Sequence, residues 1–123
     1  MAIHTFKVTV TGKGKLWSVK FYPENDQDFS LGFSKSPDFK TWKSDEFSID
    51  VEGDFDYQLI VGGPRNTGFE LGIEIKNEND WKDLVEEKEG KISEGCTGGS
   101  KNKGCIVDSV SIPSDVQPET PIT

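Results

Sequence analysis

The chain has 123 residues, with 22 Asp and Glu against 14 Lys and Arg and a formal net charge of -8. This length fits a single domain and is short for an enzyme that carries a separate lid or cofactor domain. Because nucleic acids are bound mainly through Lys and Arg contacts to phosphate, the acidic balance argues against a nucleic-acid partner, and no apolar run reaches the length of a transmembrane segment.

In the first half of the chain, apolar and polar residues alternate with the period of two that is typical of half-buried strands. The alternation predicts strands at 4–10, 16–22, 29–33 and 47–51. Trp17 falls on the apolar side of the second strand together with Val19 and Phe21, so we expect it in the core. The longer connection at 34–46 has room for a short helical turn.

The clearest alternation runs from Phe55 to Ile75. Apolar side chains occupy every second position in 55–61 and again in 69–75, and the connector between them contains two glycines, a proline and an asparagine. Two alternating runs joined in this way are typical of antiparallel strands that follow each other in a hairpin. The sequence therefore predicts a central hairpin, entered by a tight turn at 52–54.

The pattern weakens after Trp81. Residues 82–88 contain many acids and lysines and only two apolar residues, so a helix and a strand are equally compatible with them. A last strand pair is expected at 91–95 and 106–112, joined by a Gly-rich loop. Residues 113–123 contain three prolines and almost no apolar side chains, which favours a flexible tail.

Seven to eight short strands separated by turn signals predict an all-β fold. Because most strands have one apolar face and one wet face, an antiparallel β-sandwich is favoured over a barrel. We expect one domain over 1–112, followed by the tail at 113–123. The hairpin spacing resembles that of immunoglobulin-like and transthyretin-like modules, and this resemblance implies a sandwich but no particular function.

Cys96 and Cys105 flank a Gly-rich loop. Zinc normally takes four ligands and redox pairs usually have a closer spacing, so the two remaining interpretations are a disulfide and two free thiols, of which the disulfide is favoured. No signal peptide is visible, so the chain is either cytosolic or begins after a removed leader. A disulfide favours a secreted or periplasmic location over a cytoplasmic one.

His4 is the single histidine and lies on the same side of its strand as Phe6 and Val8, which is typical of a packed residue. A general base needs a nucleophile and an orienting partner, and no motif in the sequence supplies them. Paired carboxylates would suit a glycosidase, but with 22 acids that condition is met too easily to be evidence. We therefore expect no catalytic residues.

Phe39 and Trp42 are the candidate ligand-binding aromatics, because aromatic rings stack on the apolar faces of sugars. Trp42 lies in a polar connection, which makes it the best candidate for an exposed ring. In the alternative interpretation both rings close an open end of the sandwich, since large apolar groups are usually buried.

Acidic residues cluster in the predicted loops at 23–28, 50–56 and 77–80. In an up-and-down path, alternate connections lie at the same end, so these loops share one end and lysine-rich connections share the other, unless 34–46 contains an extra strand. The clustered carboxylates repel one another, and a hard cation with oxygen ligands would relieve the repulsion. The candidate calcium ligands are Glu24, Asp26, Asp28, Asp50, Asp54, Asp56 and Asp80. In the alternative interpretation they are solvated turn residues.

The sequence therefore predicts a soluble, non-catalytic binding module, with Ca2+ at the acidic loops as the sharpest hypothesis. Its partner is an unidentified protein or glycan. The alternatives are a carbohydrate-binding module that uses Phe39 and Trp42, a structural or adhesive module whose sheet edges pair with a neighbour, and a small hydrolase.

Overall fold

The chain is all-β. A computed structural model describes residues 2–24, 26–29, 31–98 and 100–119, and nine strands are its regular elements. They are β1 (Ile3–Gly12), β2 (Ser18–Pro23), β3 (Phe33–Lys35), β4 (Thr41–Ser44), β5 (Phe47–Asp50), β6 (Asp54–Gly62), β7 (Gly68–Asn77), β8 (Asp80–Lys91) and β9 (Lys103–Ser111). The described residues contain no helix with the length and apolarity that a membrane crossing requires.

The strands form two antiparallel sheets that pack face to face. In the larger sheet the order is β3, β4, β1, β7 and β8, and β5 also pairs with β1, next to β4 along the same strand. In the smaller sheet the order is β2, β6 and β9. β1 pairs with β7 from Phe6 to Gly12, and β6 pairs with β9 along its whole length from Asp54 to Gly62. The predicted antiparallel sandwich is confirmed.

β4 and β5 are two halves of one bulged strand. Both pair with β1, Thr9 opposite Lys43 and Phe6 opposite Phe47. Between these two pairs there are three residues on the side of β4 and β5, 44–46, and two on the side of β1, 7–8. One extra residue on one strand is the signature of a β-bulge. The predicted connection 34–46 thus contains a strand instead of a helical turn. Because β4 and β5 run in the same direction, however, the alternation of strand directions along the chain is unchanged.

Both boundaries of the third strand differ from the prediction. It was expected at 29–33 and spans Phe33–Lys35. Phe29 instead packs edge-on against Phe47 of β5, with ring centroids 5.6 Å apart. The apolar side chain of Phe29 therefore covers the edge of the sandwich, although its backbone belongs to no strand. Because the side chain is in contact with the core, the alternation pattern included Phe29 in the predicted strand.

The central hairpin predicted at 55–75 is wrong, although both of its strands exist. β6 lies in the smaller sheet between β2 and β9, and β7 lies in the larger sheet between β1 and β8. The connector at 63–67 therefore crosses from one sheet to the other. Both strands have one apolar face because they line the same interior from opposite sides. The turn at 51–53 likewise crosses between the sheets, from β5 to β6.

Large rings join the two sheets across the core. Phe6 of β1 stacks on Phe55 of β6, with ring centroids 4.5 Å apart, and Phe21 of β2 approaches Phe47 of β5 at 6.1 Å. All four side chains are buried. Aromatic side chains bury more area than aliphatic ones, so these contacts close an interior in a chain that is only 33% hydrophobic.

The residues after Asn79 form a long edge strand. Residues 82–88 belong to β8, which pairs with β7 and has two register shifts relative to it. The predicted strand at 91–95 is wrong, because β8 ends at Lys91 and 92–95 turn the chain toward β9. β9 begins at Lys103, earlier than predicted, and lies in the other sheet.

Part of the predicted tail lies against β1. In the described part, 113–119, Val116 is buried at 4% exposure. The Glu119 backbone N–H donates to a carbonyl of β1, and its carboxylate accepts from the hydroxyl of Thr5. Thr5 is buried as a result, although it alternates with core residues and faces away from them. Residues 120–123 lie outside the described residues.

His4 is buried at 4% exposure beside Phe6, as the sequence pattern predicted for a packed residue. Burial disfavours the imidazolium and lowers the pKa of His4 below its ordinary value of 6.5, and the negative charge of Glu119 opposes this shift. The unfolded chain therefore binds a proton more readily than the folded chain does.

We expect acid to destabilise the fold through His4. Because the folded pKa is depressed, this contribution to stability is complete above pH 6.5 and is lost as the pH falls from there through the lower pKa of the folded state. Replacing His4→Leu should reduce the drop in Tm between about pH 7.5 and pH 5.5, a range in which most carboxylates stay ionised. Thermal melts of both proteins at the two pH values measure the effect, and an equal drop in both would contradict it.

Candidate functional site

The strand directions divide the loops between two ends of the sandwich. β1, β3, β6 and β8 run toward one end, and the other strands run back. We call the first end the basic end; its loops are 13–17, 36–40, 63–67 and the described residues of 92–102. We call the other the acidic end; its loops are the described residues of 24–32, 51–53, 78–79 and 112–119.

Charge follows this division. The loops of the basic end hold five cations and two carboxylates, namely Lys13, Lys15, Lys40, Arg65 and Lys101 against Asp38 and Glu94. The described loop residues of the acidic end include acids but neither Lys nor Arg. The segregation of charge expected from strand alternation is therefore present, because the extra strand β4 continues into β5 without reversing direction.

The predicted calcium ligands share the acidic end without forming one group. Glu24 follows β2 and Asp80 begins β8, strands that lie at opposite edges of the sandwich. Others accept hydrogen bonds from the chain itself: Asp50 from Ala2 N, Asp54 from Ser111 Oγ, Asp56 from Ser109 Oγ, and Asp26 from Asp28 N. Within the described residues, no three His, Cys, Asp or Glu side chains are placed to hold a metal ion. Calcium binding at these loops stays a prediction.

Trp42 is buried, with 7% of its surface exposed. It lies in β4, and its indole N–H donates to the carbonyl oxygen of Phe39 at 3.0 Å. The expectation that Trp42 is an exposed ring is therefore wrong, and its position agrees with the alternative in which it closes one end of the sandwich. Phe39 is half-buried at the tip of the β3–β4 hairpin.

Trp17 is 55% exposed, so its expected place in the core is also wrong. β2 begins one residue later, at Ser18, and the buried position before the strand is taken by Leu16. Neighbouring residues in an extended chain face opposite ways, so only one member of this Leu-Trp pair can enter the core. That adjacent pair is the signal in the sequence that could have revealed an exposed tryptophan.

The backbone beneath Trp17 is held on both sides. Leu16 N donates to Phe39 O at 2.9 Å, and Trp17 N donates to Gly62 O at 2.7 Å. The first bond reaches the β3–β4 hairpin of the larger sheet, and the second reaches β6 of the smaller sheet. The indole ring therefore stands on a fixed backbone between the two sheets at the basic end.

Two lysines surround the ring of Phe39. The ammonium nitrogen of Lys15 lies 4.7 Å from the ring centroid and that of Lys35 lies 4.6 Å from it, while Lys35 is also 5.3 Å from the Trp42 ring. These are cation–π distances, at which the negative face of the ring attracts the cation. Two positive charges thereby share one ring at the basic end, one from Lys15 in the loop that carries Trp17 and one from Lys35 at the end of β3.

The predicted disulfide is confirmed. Cys96 and Cys105 are bonded, with Cα atoms 4.8 Å apart. Cys105 lies in β9, and its N–H donates to Glu94 O at 3.0 Å. The bond therefore anchors the Gly-rich loop of the basic end to the smaller sheet.

Comparison with protein family models, with curated proteins and with solved structures finds no match to this chain, so its function is argued from its own geometry.

Proposed function

We propose that the chain is a non-catalytic carbohydrate-binding module whose contact surface is the basic end. The observation that carries the proposal is the 55% exposure of Trp17. Large apolar side chains are usually buried, and an indole with this exposure at a loop end loses about half of the stabilisation that full burial would give it. A ligand that covers the ring recovers that stabilisation.

The chemistry of an exposed indole suits a sugar. The flat face of a pyranose ring presents C–H groups that pack on an aromatic face, and the hydroxyls at its rim stay hydrated or accept from nearby donors. Because Trp17 stands on a backbone fixed by two hydrogen bonds, little conformational freedom is lost when a ligand stacks on it. Three lysine side chains of the same end, Lys13, Lys15 and Lys35, are exposed and can donate to the ligand.

An adhesive role through sheet edges has less support. β8 pairs with β7 alone among the described strands, so it offers a long edge to a neighbour. Two register shifts interrupt that edge, however, and acids and lysines line it. Bulges and charges of this kind discourage edge-to-edge pairing.

We expect Trp17→Ala to weaken glycan binding by about thirtyfold, since truncating a tryptophan anchor costs about 2 kcal/mol or more. Its Tm should change little, because the ring is exposed. A panel of immobilised plant, microbial and animal glycans, followed by titration of each that binds, measures the effect. The matched control is Val107→Ala, which removes the other large apolar side chain that is exposed among the described residues, 65% exposed on β9, and should leave binding intact. Equal affinity of Trp17→Ala and the unaltered protein would contradict the proposal.

A further inference from the structure

We infer that the saccharide bound at the basic end is anionic, a chain of uronic acids whose carboxylates meet Lys15 and Lys35. This inference rests on the proposed function and adds the charge of the ligand to it. Trp17 is assigned the stacking contact, Lys15 and Lys35 are assigned the contacts to carboxylates, and Phe39 is a positioning residue that acts through the lysines.

The ammonium groups of Lys15 and Lys35 lie beside the same aromatic ring, each within 5 Å of the centroid of Phe39. Two like charges drawn to one ring repel each other, and the ring offsets that repulsion only in part. In the described residues neither ammonium group is in a salt bridge with a carboxylate. An anionic ligand supplies the missing counter-charge.

The nearest carboxylate in sequence, Asp38, is already engaged. It accepts hydrogen bonds from Ser36 Oγ and from the backbone N–H of Lys40. The bond from Ser36, followed by that from Lys40, lowers the pKa of Asp38 below its usual range, so the group stays ionised at neutral pH. Asp38 therefore shapes the hairpin through these bonds, and no salt bridge joins it to Lys15 or Lys35 within the described residues.

The backbone of Phe39 adopts a conformation that is unfavourable for a residue with a side chain. Its φ is +60°, in the left-handed region that glycine adopts freely and that costs other residues about 1–2 kcal/mol. Three hydrogen bonds hold it there: its N–H donates to Ser36 O, and its carbonyl accepts from Leu16 N and from the Trp42 indole. An aromatic side chain is thus kept where glycine would be easier. Strain of this kind concentrates at functional positions.

The geometry favours uronates over heavily sulfated sugars. A stack on Trp17 needs one face of the sugar ring free, and a uronic acid carries a single carboxylate at the rim of its ring. Sulfated sugars carry several bulky charged groups and bind any basic surface without needing an aromatic contact. Binding that ignores Trp17 is therefore the mark of the sulfated alternative.

The test compares each uronate with its own neutral ester. Oligomers of galacturonate, glucuronate and mannuronate are titrated into the protein beside their methyl esters, which keep the ring and remove the charge. We expect at least one acid to bind tenfold or more tightly than its ester, with affinity falling as salt rises. In Lys15→Gln/Lys35→Gln the acid should bind no better than the ester, whereas Val107→Ala should keep the preference for the acid.

Phe39→Gly separates positioning from folding. Glycine relieves the backbone strain at this position, so Tm should not fall by more than a few degrees. The ratio of the affinity for the acid to that for the ester should fall severalfold, because the lysines lose the ring that holds them.

The other outcomes divide clearly. Equal binding of acid and ester overturns the inference and leaves the proposed function standing. Binding of neither acid nor ester by the unaltered protein overturns the inference. If the unaltered protein also binds no saccharide of the glycan panel, the proposed function is overturned as well. Tight binding of dextran sulfate that survives Trp17→Ala, with no preference for uronate over ester, assigns the lysines to nonspecific anion binding and overturns the inference.

Discussion

Replacing Phe55→Ala is expected to lower the free energy of unfolding by about 3–5 kcal/mol, the range seen when a buried aromatic is truncated to alanine. Phe55 is fully buried, and its ring lies 4.5 Å from Phe6, 5.9 Å from Tyr57 and 6.3 Å from Phe21. Phe6 belongs to the larger sheet and the other three to the smaller one. The substitution therefore opens a cavity at the main aromatic contact between the sheets.

Urea unfolding followed by far-UV circular dichroism measures this loss. The control is Val107→Ala, an exposed side chain on β9, which should change stability by less than about 0.5 kcal/mol. A cost below about 1 kcal/mol for Phe55→Ala would mean that the two sheets do not meet through these rings.

The second large effect is expected from Gly95→Ala, at about 2–5 kcal/mol. Gly95 has a φ of +85°, which costs an alanine about 1–2 kcal/mol. A Cβ at this position would also lie far inside van der Waals contact of the Cys105 carbonyl oxygen. Overpacking of this kind adds about 1–3 kcal/mol. The turn that aligns the disulfide with β9 would have to shift.

Gly98→Ala is the matched control for this crowding. Gly98 has a similar φ of +94°, but a Cβ there would meet no heavy atom within 4 Å. Its substitution should therefore cost only the backbone contribution. Denaturant midpoints of the two variants, both with the disulfide intact, compare the two effects. Equal losses in both variants would show that the contact with Cys105 does not exist.

The alternation of apolar and polar residues correctly predicted the strands that bury one face in the core. β1, β2, β6 and β7 each present a buried residue at every second position along most of their length, because one face lines the core. β8 was ambiguous because it is an edge strand with no fully buried residue. β8 is a strand because its backbone pairs with that of β7, and backbone pairing places no requirement on the side chains of β8 that the sequence would show.

The alternation of apolar and polar residues does not indicate to which sheet a strand belongs. β6 and β7 follow each other with a short connector, and either a hairpin or a crossing between sheets buries their apolar faces. The choice depends on which other strands compete for each edge. β6 takes β2 and β9 as neighbours, and β7 takes β1 and β8, all distant in sequence except β8. Such non-local pairing is not visible in a local period.

The candidate site was predicted in part. Strand parity placed the acidic and basic loops at opposite ends, and Phe39 was identified as a candidate ligand-binding aromatic. The exposures of Trp42 and Trp17 were predicted the wrong way round. Trp42 lies in a polar connection but is a core residue of the bulged strand, and Trp17 lies in an apolar stretch but just outside its strand. In both cases a strand boundary decided exposure, and boundaries are the part of a strand that alternation defines least well.

The most direct test of Trp17 as the contact surface is a titration followed through the three indole N–H resonances of the protein. Trp42 and Trp81 are internal references, since the indole of Trp42 is bonded inside the hairpin and Trp81 lies at the other end beside Lys7. With a glycan selected from the panel, the account predicts a saturable shift of the Trp17 resonance while those of Trp42 and Trp81 stay in place. A saturable shift confined to Trp81, or binding that leaves the Trp17 resonance unmoved, would contradict it.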